Sequence, residues 1–261
     1  MQSDKLESKE SEAKKVFEDG DYEGCIAILS EDELNNDYFS KTKHTKGDAS
    51  LFIKAHALAI EAMMKTGDSP EVIEEIERRY EIVAHEAEEH EVEVDEIKKY
   101  GVFEYQQEND EKAEQLFDKV LEIYTRLAES DYEKYEPDIA RSYNNLANLY
   151  SETQRIEEAE SLFRKAIDIQ ERLVETRPGE FESDLAKSYG NLALLYHECQ
   201  EFDEAESTYL TAISYFDESN PMANGSMFAT IFLNMANLYR DLEKKEKEAE
   251  CLVQAIDIYV N

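Results

Sequence analysis

Hydrophobic and polar positions follow the same pattern twice in the middle of the chain. Residues 138–169 read DIARSYNNLANLYSETQRIEEAESLFRKAIDI, and residues 184–214 return to this pattern 46 positions later. The recurring apolar and small positions in the first copy are Tyr143, Leu146, Ala147, Tyr150, Ala159, Phe163 and Ala166. Self-similarity at a period of tens of residues is typical of proteins built from stacked structural repeats.

Each copy contains two apolar stripes with helical spacing. Leu146 and Tyr150 lie four residues apart on one predicted helix, and Ala159 and Phe163 lie four apart on a second. The polar residues 151–155 between them predict a short turn. Alanines allow two helices to approach to roughly 8–10 Å, and the aromatic rings fill the space beside them. One such hairpin cannot bury its own apolar face, so the pattern predicts a stack of hairpins.

The order of small, aromatic and alanine positions resembles the tetratricopeptide repeat. The segments NNLANLY and EEAESLF are similar to the long repeats of kinesin light chains and of bacterial tetratricopeptide proteins. The pattern along the chain predicts an all-α fold of about six helical hairpins, or about twelve helices. The resemblance implies that these hairpins form a right-handed α-solenoid. It also implies that the first helix of each hairpin lines a concave groove that holds a peptide or a partner protein.

The hairpin pattern divides the chain into two regions. It is clear over residues 92–261, where the last repeat is degenerate because Glu248 occupies an alanine position. Residues 1–91 predict divergent hairpins of the same kind. Within them, residues 31–48 have no sustained period and predict an irregular loop. Ser69 and Pro70 predict the start of a helix, as its N-cap and first residue.

Net charge narrows the choice of partner. The formal charge is -34, from 62 acidic and 28 basic residues. Such a chain is not expected to bind nucleic acid, whose phosphates require a basic patch, or anionic membrane surfaces. The acids either keep the helix faces solvated or match a basic partner. No apolar run approaches the roughly 20 residues that span a bilayer, and the polar N-terminus lacks a signal core, so we expect a cytoplasmic protein.

Motifs for catalysis and metal binding are absent from the sequence. It has no phosphate-binding glycine loop and no nucleophile motif, so we expect no enzymatic activity and no cofactor. In HEAEEH at residues 85–90 the histidines are five positions apart rather than four, which favours a solvated acidic face over a metal site. Cys25, Cys199 and Cys251 are odd in number and far apart, as expected of reduced thiols.

The candidate binding residues lie on the first helix of three repeats. An asparagine returns at one register, and its amide can pair with both the N–H and the C=O of an extended peptide. By resemblance, peptide-binding members of the family use asparagines and arginines of the groove in this way. The predicted peptide-contacting residues are Arg141, Asn145, Asn148, Lys187, Asn191, Asn234 and Asn237. The alternative is that the asparagines bridge adjacent first helices, and both roles can hold together.

Three functions remain open from the sequence. The first is a non-catalytic scaffold that holds a peptide segment or partner protein in the groove. The second is an acidic inhibitor or chaperone of a basic protein, such as a toxin antidote or a secretion chaperone. The third is a peptide-sensing regulatory module. Salt dependence separates the first two, because a complex driven by charge weakens steeply as salt rises.

Overall fold

Helices account for the regular structure of the chain. A computed structural model describes residues 2–31, 34–35, 38, 45–67, 69–215 and 225–260. Twelve helices and no strand occur in these residues, and they follow one another as six hairpins. The helices are α1 (Gln2–Glu18), α2 (Tyr22–Ile28), α3 (Lys46–Thr66), α4 (Pro70–His90), α5 (Val94–Gln106), α6 (Asp110–Ala128), α7 (Tyr132–Glu152), α8 (Ile156–Thr176), α9 (Glu182–Glu198), α10 (Phe202–Ile213), α11 (Gly225–Asp241) and α12 (Lys245–Val260).

Two compact units share these helices, and the division falls inside α6. The first unit comprises residues 1–123 and the second residues 124–261. A buried cluster from α1, α2 and α3, with Leu29 and Phe52 at 0% exposure, lies in the first unit. The core of the second unit is a continuous cluster contributed by α7 to α12. Each unit therefore has its own apolar core, as expected of stacked repeats.

Local sequence signals determine where several helices begin. Ser69 accepts a hydrogen bond from the Val72 N–H, and Pro70 is the first residue of α4, as the sequence predicts. At the start of α3, Thr45 and Asp48 each accept a hydrogen bond from the other's backbone N–H, which forms a capping box. In the turn after α1, Gly20 adopts a left-handed φ of 81°, which favours glycine.

The prediction of an irregular loop over residues 31–48 is partly wrong. Residues 46–48 belong to the first turn of α3, because the Thr45 and Asp48 capping box starts that helix earlier. Leu34 and Tyr38 are helical in conformation and buried, at 0% and 2% exposure. Their i, i+4 spacing could have indicated this burial. Residues 39–44 lie outside the described residues.

Small residues lie where the helices approach most closely. In the second unit the repeated alanines Ala147, Ala159, Ala193 and Ala205 are all fully buried. Phe163 and its counterpart Tyr209 fill the space beside them at 1% and 0% exposure. In this core, as predicted, alanines lie at the closest helix contacts and aromatic rings fill the space beside them.

We expect Gly101→Ala to destabilise the first unit. A Cβ atom on Gly101, in α5, would lie 2.6 Å from Cε1 of Phe117, a ring of α6 that is 5% exposed. Overpacking of this kind typically costs about 1–3 kcal/mol, measured here as a fall in the free energy of urea unfolding. The control is Gly47→Ala in the first turn of α3, where the nearest atom to the new Cβ is 3.7 Å away. That variant should be neutral or slightly more stable, and equal losses in the two would contradict the steric explanation.

A tyrosine-to-glutamate hydrogen bond recurs between consecutive repeats of the second unit. The Tyr196 hydroxyl donates to Glu160 at 2.8 Å, and the Tyr239 hydroxyl donates to Glu206 at 3.0 Å. The sequence assigns these rings to packing, but each hydroxyl also links the second helix of one hairpin to the first helix of the next. Glu206 is further paired with Lys244 at 2.8 Å and Lys247 at 2.7 Å.

The Glu206 cluster should make stability depend on acid pH. Hydrogen bonds from Lys244 and Lys247 lower the pKa of Glu206 to about 2 from an ordinary 4.5. Because the folded pKa is depressed, the stabilisation is complete above pH 4.5 and disappears as the pH falls towards 2. Both lysines are largely solvated, so the contribution is about 1 kcal/mol. The stability gap between wild type and Glu206→Gln should therefore close in acid, and a gap that stays constant between pH 7 and pH 2 would contradict the prediction.

Candidate functional site

The first helices of the second unit lie side by side. Hydrogen bonds link α7 to α9, from the Asn144 amide to the Ser188 hydroxyl at 2.7 Å, and α9 to α11, between His197 Nε2 and Asp241 Oδ2 at 2.8 Å. Residues at matched repeat positions on the three helices therefore form rows across them. Three such rows include the predicted binding residues, and a fourth consists of Glu152, Glu198 and Asp241. We refer to these four rows together as the first-helix face.

The asparagines of this face divide into two kinds. Asn191 Nδ2 of α9 donates to Asn148 Oδ1 of α7 at 3.0 Å, so these two amides bridge adjacent first helices. The bridge is the alternative role that the sequence analysis left open. The equivalent contact between α9 and α11 would join Asn234 to Leu194, which has no amide. The bridge is therefore limited to one pair of helices by the sequence itself.

Asn145 and Asn234 keep their amides available. Both are partly exposed, and neither side chain makes a hydrogen bond to any of the described residues. They occupy the same repeat register as Asn191, on the two helices that flank α9. Each amide offers two donor hydrogens and a carbonyl oxygen. This arrangement can accept a ligand that carries both donors and acceptors.

The remaining predicted residues are exposed but not equally available. Arg141 is paired with Asp138 of its own helix at 2.6 Å and lies 3.8 Å from Asp184 of α9. Asn237 accepts a hydrogen bond from Arg240 at 3.0 Å. Lys187 is exposed and has no ion pair among the described residues. The row of Arg141 and Lys187 therefore offers less unpaired positive charge to a ligand than the sequence alone indicates.

Acidic side chains form the opposite edge of the first-helix face. Glu152, Glu198 and Asp241 occupy one register on α7, α9 and α11. Burial and then the charge of Glu198 raise the pKa of Glu152, so these two carboxylates are close enough to repel. Beside them is a groove of about 530 Å³ lined by His197, Glu198, Gln200, Phe202 and Asp241. This edge presents negative charge beside an aromatic ring.

A buried polar network beneath the face was not predicted from the sequence. The Ser188 hydroxyl, which accepts from Asn144, donates to Gln170 Oε1 at 2.6 Å. Ser188 and Gln170 are 0% and 2% exposed. The network ties α7, α8 and α9 together and limits rotation of the first helices. A polar residue inside an apolar helical stripe, as at Ser142 and Ser188, was the available sequence signal.

The acidic stretch of α4 is partly neutralised within the first unit. Lys112 of α6 pairs with Glu77 at 3.1 Å and Glu81 at 3.2 Å, and Lys119 pairs with Glu88 at 2.6 Å. These contacts join helices that the sequence could not pair by inspection. The run of acids in α4 therefore serves internal ion pairs as well as solvation.

The HEAEEH segment brings three potential ligand groups together. Atoms of His85, Glu86 and Glu89 lie within 4.8 Å of one another. Glu86 already accepts a hydrogen bond from the Tyr38 hydroxyl at 2.8 Å and is 3% exposed, whereas His85 and Glu89 face solvent. A metal ion here would compete with the bond between Tyr38 and Glu86, so the donors fit a metal poorly.

The buried cysteines add little to the chemistry of the candidate site. Cys25 and Cys251 are 0% and 7% exposed, which confirms that they are core residues. Burial raises the pKa of Cys251 to about 11 and also raises that of Cys25. Thiols of this kind are poor nucleophiles at neutral pH.

Among the described helices, none has the length and apolarity needed to cross a membrane.

Comparison with known proteins identifies the repeats. Two sequence profiles, both described as Tetratricopeptide repeat, match residues 94–172 and residues 186–217 with 229–259. Together they cover more than half of the chain. No protein of curated function matches the sequence.

Solved structures share the fold at low identity. BtubC (BKLC) from P. vanneervenii is 18% identical with a TM-score of 0.66, over 98% of this chain and 91% of that one. A protein from Podosopora anserina, described as a candidate kinesin light chain with nearly identical TPR-like repeats, is 16% identical with a TM-score of 0.60, over 82% and 96%. NprR in complex with its cognate peptide NprX is 15% identical with a TM-score of 0.55, over 97% and 66%.

At these identities the structural likeness establishes the fold alone. It confirms the predicted all-α architecture of tetratricopeptide hairpins and the predicted similarity to kinesin light chain repeats. The match over residues 94–172 includes residues 138–169 of α7 and α8, where the repeat pattern is clear in the sequence. The chain belongs to the tetratricopeptide repeat family.

Proposed function

We propose that the chain is a non-catalytic interaction scaffold that holds an extended peptide segment of a partner protein on the first-helix face. The observation that carries the proposal is the pair Asn145 and Asn234, whose partly exposed amides have no hydrogen-bond partner among the described residues. An extended backbone supplies an N–H and a C=O at every residue and would satisfy both amides without demanding one peptide sequence.

The neighbouring residues support an extended ligand. The bridge between Asn148 and Asn191 holds α7 against α9, and the network of Asn144, Ser188 and Gln170 fixes the helices from beneath. A rigid arrangement reduces the ordering cost of binding. NprR, which shares the fold, was solved with its cognate peptide NprX, and this supports the capacity of the fold to take such a ligand.

The test uses peptides selected from a displayed library of short random sequences on the full chain. We expect Asn145→Ala combined with Asn234→Ala to weaken the selected peptides by about ten- to a hundredfold, since each lost hydrogen bond is worth about 0.5–1.5 kcal/mol and the loss of an uncompensated partner is worth more. The measurement is the dissociation constant by calorimetry.

Gln254→Ala is the matched control for the asparagine test. Gln254 is an exposed amide on α12, outside the first-helix face, and its removal should leave affinity unchanged. Circular dichroism must show that the double variant is folded. A folded double variant that binds as tightly as wild type would end the proposal that this face holds the peptide backbone.

A second candidate function is an acidic chaperone or inhibitor of a basic protein. The row of Glu152, Glu198 and Asp241 favours it, because the first two have no ion pair among the described residues and repel each other. A lysine or arginine side chain of the partner would relieve that repulsion. This candidate differs from the first in its driving force, since charge would supply the affinity rather than amide contacts.

Charge removal and salt distinguish the two candidates. If charge dominates, Glu152→Gln with Glu198→Gln should weaken a basic peptide about tenfold or more at low salt, and the effect should shrink at physiological salt. Glu157→Gln with Glu175→Gln removes the same charge from exposed positions of α8 and is the control. Equal losses in both pairs would indicate a general effect of net charge and contradict a specific acidic row.

A further inference from the structure

A cavity of about 470 Å³ lies in the first unit, remote in sequence from the first-helix face. Its walls come from α2 and the residues after it, from α3 and from α4. Ile26, Ala27 and Met63 make the apolar part, and Ser30 and Arg79 add polar groups. A volume of this size falls in the range of small-molecule sites, and its walls are about equally apolar and polar.

Arg79 is the unusual residue of this cavity. It is 1% exposed, and its one hydrogen bond among the described residues runs from Nε to Glu75 Oε1 at 2.8 Å. Nη1 is enclosed and has no hydrogen-bond partner in the part of the chain that the structure describes. A buried guanidinium normally uses its terminal nitrogens in a fork that binds two oxygen atoms. In Arg79 the terminal nitrogens have no such oxygen partners among the described residues.

His56 does not compensate the charge at the free end of Arg79. His56 of α3 is fully buried, and neither of its ring nitrogens has a hydrogen-bond partner within the described ranges. Burial and then the nearby charge of Arg79 lower the pKa of His56 to about 3, so this ring is neutral at physiological pH. His56 therefore supplies no negative charge to the Arg79 guanidinium, whose ion pair is with Glu75.

The charges at the mouth of the cavity limit the ligand. Arg78 is paired with Glu31 at 2.8 Å and also contacts Glu75, which in turn holds Nε of Arg79. Two arginines and two carboxylates give the walls no net charge. A doubly charged phosphate would meet repulsion from both glutamates, whereas a single carboxylate needs only the free fork of one arginine.

We propose that this cavity binds a small monocarboxylate with a short aliphatic body, whose carboxylate accepts hydrogen bonds from the terminal nitrogens of Arg79. Ile26, Ala27 and Met63 enclose the aliphatic part. The Ser30 hydroxyl lies in the same wall and offers a further donor. The site does not depend on the peptide-binding role of the second unit.

Hexanoate titrated into the full chain tests the proposal, with the Met63 methyl and Arg79 Nε NMR signals as readouts. We expect saturable shifts of both signals with hexanoate. Hexanamide, which has the same shape without the charge, and inorganic phosphate should bind at least about tenfold more weakly. Equal responses to hexanoate and hexanamide would overturn the assignment to Arg79.

Variants separate a true site from a general effect. Lys65→Gln removes a positive charge from an exposed position of α3 outside the cavity walls, so it should retain binding, whereas Arg79→Gln should lose it about tenfold or more. If Arg79→Gln does not fold, Ala27→Trp decides, because Ala27 is exposed and an indole there would occupy the cavity. Hexanoate binding that is unchanged in folded Ala27→Trp would place the ligand elsewhere and refute the proposal.

Discussion

Replacing Phe163 with alanine is expected to lower the free energy of unfolding of the second unit by about 3–5 kcal/mol. Phe163 is 1% exposed and belongs to the buried cluster that α7 to α12 share. Truncation removes an aromatic ring and leaves a cavity that rigid helices fill only in part, so the lost contacts add to the lost apolar burial. Urea unfolding followed by far-ultraviolet circular dichroism measures the effect.

Leu210→Ala is the control for the Phe163 prediction. Leu210 lies in the next hairpin on α10 and is 52% exposed, so its truncation should cost no more than about 0.5 kcal/mol. A loss below about 1 kcal/mol for Phe163→Ala would mean that neighbouring repeats collapse around the vacancy. Because repeats contact mainly their neighbours, the second unit should lose more than the first.

Replacing Lys112 with methionine should destabilise the first unit by about 3 kcal/mol, near the lower end for breaking a buried ion pair. Lys112 Nζ lies 3.1 Å from Glu104, which is 2% exposed, and also contacts Glu77 and Glu81. Burial by itself lowers the pKa of Lys112, but contacts with Tyr100 and the carboxylates raise it overall. Methionine keeps the chain length and removes the charge, which leaves the Glu104 carboxylate buried without a cation.

Two further variants make the Lys112 prediction specific. Lys112→Met combined with Glu104→Gln should recover most of the lost stability, because the remaining amide is neutral. Lys119→Met is the surface control: its partner Glu88 lies 2.6 Å away, but both side chains are about 40% exposed, and we expect a loss of no more than about 1 kcal/mol. Equal losses at the two lysines, or no recovery in the double variant, would contradict a role for the buried Glu104 charge.

The ion pair between Lys112 and Glu104 also shows which features of a repeat can be predicted from the sequence. Glu104 stands where the later repeats have Tyr150 and Tyr196, and that departure is visible in the sequence. Its compensation is visible only with the structure, since Lys112 occupies the position of Glu158 in the next repeat. The hairpin of α5 and α6 therefore has an ion pair between Glu104 and Lys112 at the positions where the next hairpin has Tyr150 and Glu158.

The sequence was less informative where a segment lacks periodicity. Residues 31–48 predict a loop because they have no sustained period, yet Leu34 and Tyr38 are buried against the core of the first unit. Two apolar residues four positions apart are a weak signal by themselves. Their burial depends on the apolar surface that α2 and α3 present, and that surface forms only when the hairpins assemble.

Helical hairpins, their number and the residues that space them followed from the sequence by itself, because burial of one helix face repeats every three to four residues and is a local property. The tertiary structure decided which asparagine amides are hydrogen-bonded to a neighbouring helix. Asn191 meets Asn148 across 43 residues because of the rotation and axial offset of α7 and α9, whereas Asn234 has Leu194 at the equivalent repeat position of α9. Contacts between helices depend on those rigid-body relations, which no single segment encodes, so the availability of an amide at one register became known only once the helices were packed.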